Sequence, residues 1–377
     1  MSDTKTPKHG TGIEWTKRPG TRGETLNPIR ARNRETGKLG WFCIHANPDC
    51  INCYAETLNV KGGDSGGNGI AYKAQLVDRV EISLDEDRVT QPLRWRQPRT
   101  IFLCSMTDLF VDFVPFPWID RVFAVAALAP QHTYIILTKR PKRMRDYFNG
   151  TPQPRWMAAM REIAPPADSR GVPLDTKNGA LPNVWLGTSC GTQKTADEFI
   201  PDLLATPAAV RFVSVEPMTG PVDLYNGDPD PRLGGHQATQ TFLGEWWEPG
   251  AAKNSPPHHG LDWVICGGES GPKARPMHPE WARSLRDQCA AADVPFFFKQ
   301  WGEWAPGENS DRAQTRTERT ASWSVDAWTF ENITASYSQE MHADDEPDLW
   351  RLGKKQAGRM LDGRTHDEFP LVRGCRT

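Results

Sequence analysis

Six short apolar runs, each ending in polar or small residues, constrain this chain more than any other feature: TIFLCSMTD (100–108), TYIILTKR (133–140), NVWLGTSC (183–190), VRFVSVEP (210–217), DWVICGGES (262–270) and VPFFFKQWGEW (294–304). A strand buried on both faces reads as such a run, without polar alternation. Between most of them lie helical stretches: FPWIDRVFAVAALAP (116–130), DEFIPDLLATP (197–207) and HPEWARSLRDQCAAAD (278–293). Proline near the start of the first and third suits a first helical turn. Strands alternating with helices imply a parallel sheet. With a first strand expected near LGWFC (39–43), the count is six or seven units. The expected fold is α/β, a partial or complete (β/α) barrel, with an open doubly wound sheet as the alternative.

The segment 223–260, rich in Gly, Pro and Asp, reads as a loop insertion or small lid. Residues 305–377 lack the strand–helix rhythm and read as a C-terminal extension packed on the barrel. The expected organisation is a basic N-terminal segment at 1–38, a barrel core at 39–304 and that extension. No internal repeat is evident.

In parallel α/β folds the reacting groups gather at the carboxyl ends of the strands. Here those ends carry Ser105, Thr107 and Asp108; Thr138, Lys139 and Arg140; Thr188, Ser189 and Cys190; Ser214 and Glu216; Cys266, Glu269 and Ser270; Lys299 and Gln300. One polar strand end is unremarkable, but a series of six describes a lined cavity.

At 377 residues with 38% hydrophobic content, the chain can bury a substantial core. No run of eighteen apolar residues occurs and the first dozen residues are polar, so no membrane partner is expected and a cytoplasmic location is the default. The net charge of −2 says little about partners. NPIRARNR (27–34) and TKRPKRMR (138–145) are basic enough to meet phosphates, or equally to be solvated faces. The fifteen tryptophans suit core packing better than base stacking.

Of eight cysteines, three fall within CIHANPDCINCYAE (43–56). Eight are too few for a disulfide scaffold of this length, which favours a metal site for Cys43, Cys50 and Cys53. A zinc site would need a fourth ligand, with His45 available, but His45 stands only two positions after Cys43 and no second CxxC pair follows. Three free thiols in one loop would invite oxidation. A four-iron, four-sulfur cluster on three thiolates leaves one iron open for a substrate or cofactor, which accounts for the missing fourth ligand.

The cysteine loop followed by Tyr54, Ala55 and Glu56 resembles radical S-adenosylmethionine (radical SAM) enzymes, whose commonest first gap is three residues rather than six. GIEWT (12–16), CINCYAE (50–56), SMTDLF (105–110), LTKRP (137–141), VWLGTS (184–189), SVEPM (214–218), GGESG (267–271), FFFKQWGEW (296–304) and LDGRTHDEFP (361–370) together resemble a phage and prophage family of radical SAM proteins that includes the thymidine-hypermodifying isomerase. This chain departs in a longer basic segment between GIEWT and the first cysteine.

The resemblance implies a [4Fe-4S] cluster on Cys43, Cys50 and Cys53, with S-adenosylmethionine on the open iron and an external electron donor. Reductive cleavage would give a 5′-deoxyadenosyl radical that takes hydrogen from an unactivated carbon. By the same likeness, Ser105, Thr107 and Asp108 would hold the methionine amino group, although Asp108 is also placed to cap the next helix. Lys139, Arg140 and Ser189 suit the methionine carboxylate, or structural ion pairs in the case of the two cations. Glu216 suits the ribose hydroxyls. Arg140, Glu269, Lys299 and Gln300 are substrate contacts, with GGESG marking either close approach to a ligand or a tight turn.

The substrate implied is DNA or a modified nucleotide, in the host cytoplasm if the chain is phage-encoded. The reaction is isomerisation of N-linked glycyl-thymidine to the alpha-carbon-linked form, through hydrogen abstraction at the glycyl alpha carbon. A base in duplex DNA would have to be extruded. The first alternative is thymine-lesion repair resembling spore photoproduct lyase, for which Cys190 or Cys266, or the nearby Cys104, would supply hydrogen. Buried core thiols are the plainer reading of these three. The second alternative is a non-catalytic, zinc-stabilised nucleic-acid-binding protein. The sequence leaves the oligomeric state open.

Overall fold

The structure is a computed structural model that describes residues 10–62, 66–164, 176, 179–225, 241–246, 258–307, 317–334 and 348–371. Most of the expected insertion at 223–260 and parts of the C-terminal extension lie outside the described residues.

The strands, in chain order, are β1 (Arg22–Leu26), β2 (Ile29–Asn33), β3 (Leu39–Gly40), β4 (Val80–Leu84), β5 (Arg99–Leu103), β6 (Thr133–Thr138), β7 (Val184–Ser189), β8 (Val210–Val215), β9 (Glu245–Trp246), β10 (His258–His259), β11 (Trp263–Gly267), β12 (Phe296–Gln300), β13 (Trp304–Pro306), β14 (Thr317–Ser324), β15 (Ala327–Thr334) and β16 (Asp348–Arg351). The helices used below are α1 (Tyr54–Lys61), α2 (Glu86–Val89), α3 (Phe116–Leu128), α4 (Pro141–Asn149), α5 (Gln153–Ile163), α6 (Gln193–Leu204) and α7 (Pro279–Ala291).

The centre is a seven-stranded sheet in the order β1-β5-β6-β7-β8-β11-β12. Every pairing in it is parallel. The sheet curls into a half-barrel, so the α/β architecture matches the partial form of the expected barrel. All six expected apolar runs are strands of it.

The first strand is not where it was expected. Leu39–Gly40 is only a two-residue strand in a small antiparallel sheet, β3-β2-β4, while the main sheet starts from Arg22–Leu26. Residues 22–26 of the basic N-terminal segment thus form an edge strand of the main sheet. β1 carries the burial pattern intermediate-buried-intermediate-intermediate-buried, as an edge strand does, and so shows no apolar run.

The two faces of the sheet pack differently. Residues such as Ile101, Leu103, Ile136, Leu186, Val213, Val264 and Phe298 join one core with α3, α4, α5, α6 and α7. The alternate residues Phe102, Ile135, Trp185, Phe212, Trp263, Ile265 and Phe297 face the concave side, where Trp15 packs with them and Phe369 lies against them. The concavity is thus filled by aromatic rings at this level. A Cβ at Gly187 would lie 2.4 Å from the Phe212 ring, so glycine there makes room for that ring.

Local signals agree with the helices. Pro117, Pro141, Pro154 and Pro279 occupy first-turn positions, and Thr192 with Thr195 forms a reciprocal capping box at α6. The described residues of the C-terminal extension, with Trp304–Pro306, form a four-stranded sheet, β13-β16-β14-β15. A later segment covers the exposed edge of β12: Phe298 N donates to His366 O, and Phe297 bridges Asp367 in antiparallel fashion. Among the described residues, no helix is long and apolar enough to cross a membrane.

Candidate functional site

Counting in twos along each strand from the concave aromatic layer leads to the carboxyl-end side chains that face the mouth of the half-barrel. From Ile135 the count reaches Lys139, from Trp185 Ser189, from Phe212 Glu216 and from Phe297 Lys299. These four make a connected polar layer. Lys139 Nζ donates to Ser189 Oγ at 2.6 Å, and Ser189 Oγ donates to Glu216 O at 2.9 Å. Lys299 Nζ lies 2.7 Å from both carboxylate oxygens of Glu216, and Gln300 Nε2 donates to Glu216 Oε1 at 3.2 Å. Gly267 reaches the same level without a side chain; a Cβ there would already touch the Glu216 carboxylate at 3.4 Å. Among the described residues Lys139 has no carboxylate within salt-bridge distance, and Gln300 Oε1 is buried without a partner.

The loop bearing Cys43, Cys50 and Cys53 lies across these strand ends, fastened from several sides. Thr107 Oγ1 donates to Phe42 O at 3.1 Å, and Arg140 Nη2 donates to Ile44 O at 2.6 Å, so the carbonyls on either side of Cys43 are both held. Asn52, between the other two cysteines, donates from Nδ2 to Glu269 Oε2 at 3.0 Å and to Lys273 O at 2.9 Å. Tyr54 Oη donates to Ser105 O at 2.6 Å. Asp49 packs against the end of β7, where a Cβ on Gly191 would stand 2.7 Å from Asp49 Oδ1 and 2.4 Å from Pro217 O. Only glycine at 191 permits that approach. Asp49 Oδ2 is buried with no partner among the described residues.

The expected amino-group ligands turn out to be engaged within the protein. Ser105 Oγ exchanges hydrogen bonds with the Asn27 amide at 3.1 and 3.3 Å. Thr107 holds Phe42 O, as above. Asp108 accepts from Phe110 N, Thr138 Oγ1, Lys139 N and Arg140 Nη1 at 2.8 to 3.1 Å. Four donors fill a carboxylate, so Asp108 anchors the ends of β5 and β6 and does not stand free for an ammonium group. Arg140, expected among the carboxylate and substrate contacts, spends its guanidinium on Asp108 and Ile44 O.

Glu269 is likewise committed. It accepts from Arg275 Nε at 2.9 Å, Arg275 Nη2 at 2.7 Å and Arg275 N at 2.7 Å, as well as from Asn52. Burial alone would raise its pKa, but the Arg275 and Asn52 hydrogen bonds outweigh burial and hold it below the usual carboxylate value. Glu269 is therefore a structural tie between the turn after β11 and the cysteine loop.

The thiols divide into two groups. Burial, reinforced by the Asp108 charge and opposed by Arg140, pushes Cys43 up to about 12. Burial also raises Cys53, against the backbone N–H groups of Glu56 and Ala55 at the start of α1. The charge of Cys53 is felt at Cys43, and that of Cys50 at Cys53, so the three are neighbours. Among the described residues, however, no group of three or more His, Cys, Asp or Glu side chains is gathered closely enough to hold a metal ion. Three soft sulfur donors in one loop fit an iron-sulfur cluster chemically, and in this conformation they are near one another without having closed around a centre. His45 does not complete a zinc set: its Nε2 lies 2.8 Å from Glu56 Oε2, whose other oxygen accepts from Tyr72 N.

Cys190 and Cys266 are fully buried in the helix-side core, and burial raises both thiols, Cys190 to about 12. Cys266 Sγ lies 3.7 Å from Met218 Sδ. Cys104 is also buried in that core. The basic stretches are largely consumed internally. Arg30 is buried over the Trp41 ring, Arg143 donates to Val111 O and Val114 O, and Arg145 pairs with Asp202. Arg32, Arg34 and Lys142 remain at the surface. Asn27, Asp49, Asn52 and Arg275 are site residues that the sequence reading did not single out. Asn52 lay in plain view inside CINCYAE, but nothing in the sequence indicates that it meets Glu269.

No curated protein and no solved structure matches this chain. A profile described as a protein of unknown function, DUF5131, matches residues 11–370, from just before β1 to the segment that covers the edge of β12. The chain therefore belongs to the DUF5131 family.

Proposed function

We propose that this protein is a radical SAM enzyme of DNA hypermodification, isomerising N-linked glycyl-thymidine to the alpha-carbon-linked form. The observation that carries the reading is the lie of the cysteine loop. It crosses the carboxyl ends of β5, β6, β7 and β11, over the polar layer of Lys139, Ser189, Glu216 and Lys299. Ligands in parallel α/β sheets bind at that end.

In this reading Cys43, Cys50 and Cys53 would hold a [4Fe-4S] cluster, which with S-adenosylmethionine supplies the radical that takes hydrogen from an unactivated carbon. Lys139 and Ser189 receive a carboxylate, since Lys139 Nζ has, among the described residues, one neutral partner and further donors to offer. Glu216, oriented by Lys299 and Gln300, accepts from ribose hydroxyls. Gln300 Oε1 and Asp49 Oδ2, unpartnered among the described residues, are acceptors left for donors on the ligands. Beneath this layer the rings of Trp185, Phe212 and Trp263 close the concavity against water from below. An external electron donor completes the system, and DNA phosphates are left with the surface cations Arg32, Arg34 and Lys142. The burial of Cys190 and Cys266 weighs against a thiol hydrogen donor and hence against the repair reaction.

Protein prepared anaerobically and supplied with iron and sulfide is expected to bind about four irons. It is then expected to convert S-adenosylmethionine to 5′-deoxyadenosine and to isomerise DNA carrying N-linked glycyl-thymidine. Zinc without iron, and no cleavage of S-adenosylmethionine, would overturn the enzyme reading. Cleavage without the isomer would overturn the substrate alone.

A further inference from the structure

The two best-buried strand-end carboxylates, Asp108 and Glu269, are each paired with an arginine, and both pairs end on the cysteine loop. Asp108 is 8% and Glu269 5% exposed. Asp108 fixes Arg140, whose Nη2 holds Ile44 O next to Cys43. Glu269, in a two-point contact with Arg275, holds the Asn52 amide between Cys50 and Cys53. The first pair belongs to the ends of β5 and β6, the second to the turn after β11. The order β5-β6-β7-β8-β11 puts three strand intervals between β6 and β11.

We infer that Asp108 and Glu269 are positioning residues: two carboxylate–guanidinium clamps that set where Cys43 stands relative to the Cys50–Cys53 pair. The loop has little means to do this alone. The wider gap between Cys43 and Cys50 holds a short 3-10 turn, Pro48–Cys50, capped by Asn47, and α1 buries only Ala55 and Asn59. A segment so lightly packed takes its geometry from its ties. Those ties are hydrogen bonds involving charged partners, stronger than neutral ones and directional. The sheet thereby dictates thiol placement before any metal arrives, as preorganisation of a site by its supporting shell requires. Each clamp acts on different cysteines, which a general loss of stability would not reproduce.

The inference rests on reading Cys43, Cys50 and Cys53 as one ligand set, but its test does not need the cluster. In metal-free, reduced protein, the rate of iodoacetamide alkylation is followed at each cysteine by mass spectrometry. Glu269→Gln is expected to speed modification of Cys50 and Cys53 by roughly tenfold, the scale of a lost hydrogen bond to a charged group in a local opening equilibrium. Cys43 should change little. Asp108→Asn should do the reverse. If a buried-charge variant fails to fold, Asn52→Ala cuts the second clamp from the loop side and leaves the Glu269–Arg275 pair intact; it should reproduce the Cys50 and Cys53 effect. Equal acceleration at all three cysteines, or none at any, would overturn the clamps. If the site-specific pattern appears and iron still fails to bind wild-type protein, the clamps stand and the proposed function falls.

Discussion

Replacing Lys299 with Met tests the polar layer at the mouth of the half-barrel directly. Glu216 would lose two contacts of 2.7 Å and keep one hydrogen bond, from Gln300 at 3.2 Å. The side chains of Glu216 and Lys299 are 17% and 15% exposed. Removing one partner of a fully buried pair costs about 3–5 kcal/mol, whereas an open surface pair is worth about 0–1 kcal/mol. This pair is mostly buried yet touches solvent, so an intermediate loss of about 2 kcal/mol is expected. Glu216→Gln alone leaves Lys299 facing a neutral amide and should cost somewhat less.

The double variant removes both charges and should recover part of the loss, since neither charge is then left unpaired in a half-buried place. A coupling of at least ~1 kcal/mol between the two sites is therefore expected. Urea unfolding of the metal-free protein measures it, with each variant compared by its midpoint at unchanged slope. Additivity within about 0.5 kcal/mol would refute the reasoning, because it would mean that the two groups do not interact in solution. In cluster-loaded protein, Lys299→Met should also weaken S-adenosylmethionine binding, because Glu216 loses the group that orients it.

Three further outcomes follow from the same geometry. Cys190→Ala and Cys266→Ala should each lower stability by about 1 kcal/mol, through loss of a small buried group, while 5′-deoxyadenosine formation and isomer yield persist; loss of turnover with intact cleavage would revive the repair reaction. Gly187→Ala would set a methyl 2.4 Å from the Phe212 ring and should cost about 1–3 kcal/mol of overpacking, read from the urea midpoint and near-ultraviolet dichroism. His132 and His366 are held below the ordinary histidine value chiefly by burial, so the unfolded chain takes up protons before the folded one does. Their contribution to stability is complete above the unfolded value of 6.5 and is lost as pH falls below it. His132→Gln should flatten that part of a stability–pH curve.

The strands that a sequence reading found are those covered on both faces, since burial on both sides is what turns a strand into an apolar run. β1 escaped because its five residues, Arg22–Leu26, lie at the sheet edge and carry a single apolar side chain, Leu26. The C-terminal sheet escaped for a related reason: β14 runs through TERTASWS, in which few residues are apolar, and its pairing with β16 joins segments far apart in the chain. Glycine spacing was more informative than it looked. Gly187 and Gly191 both mark points where another group must approach the backbone, a ring in one case and the cysteine loop in the other.

The strand-end residues were legible as a set, but their division into two classes was not, and it follows from the period of two together with the distance of each residue past its strand. Residues in phase with the concave aromatic rings, Lys139, Ser189, Glu216 and Lys299, face the mouth and keep capacity for a ligand. Thr138 and Thr188, out of that phase, and Asp108 and Glu269, set further past the ends of β5 and β11, tie strand ends to one another or to the loop above. Gly187 stands opposite Phe212 on the neighbouring strand and leaves that ring its room on the concave side. What no count along the chain supplies is the partner of a carboxylate. Arg275 lies six residues beyond Glu269 across a turn, and Arg140 lies on a different strand end from Asp108. A buried carboxylate in a series of polar strand ends reads as a ligand contact until the guanidinium that fills it is found. Where both of its oxygens are filled from within the protein, the chemistry left to it is to hold something else in place.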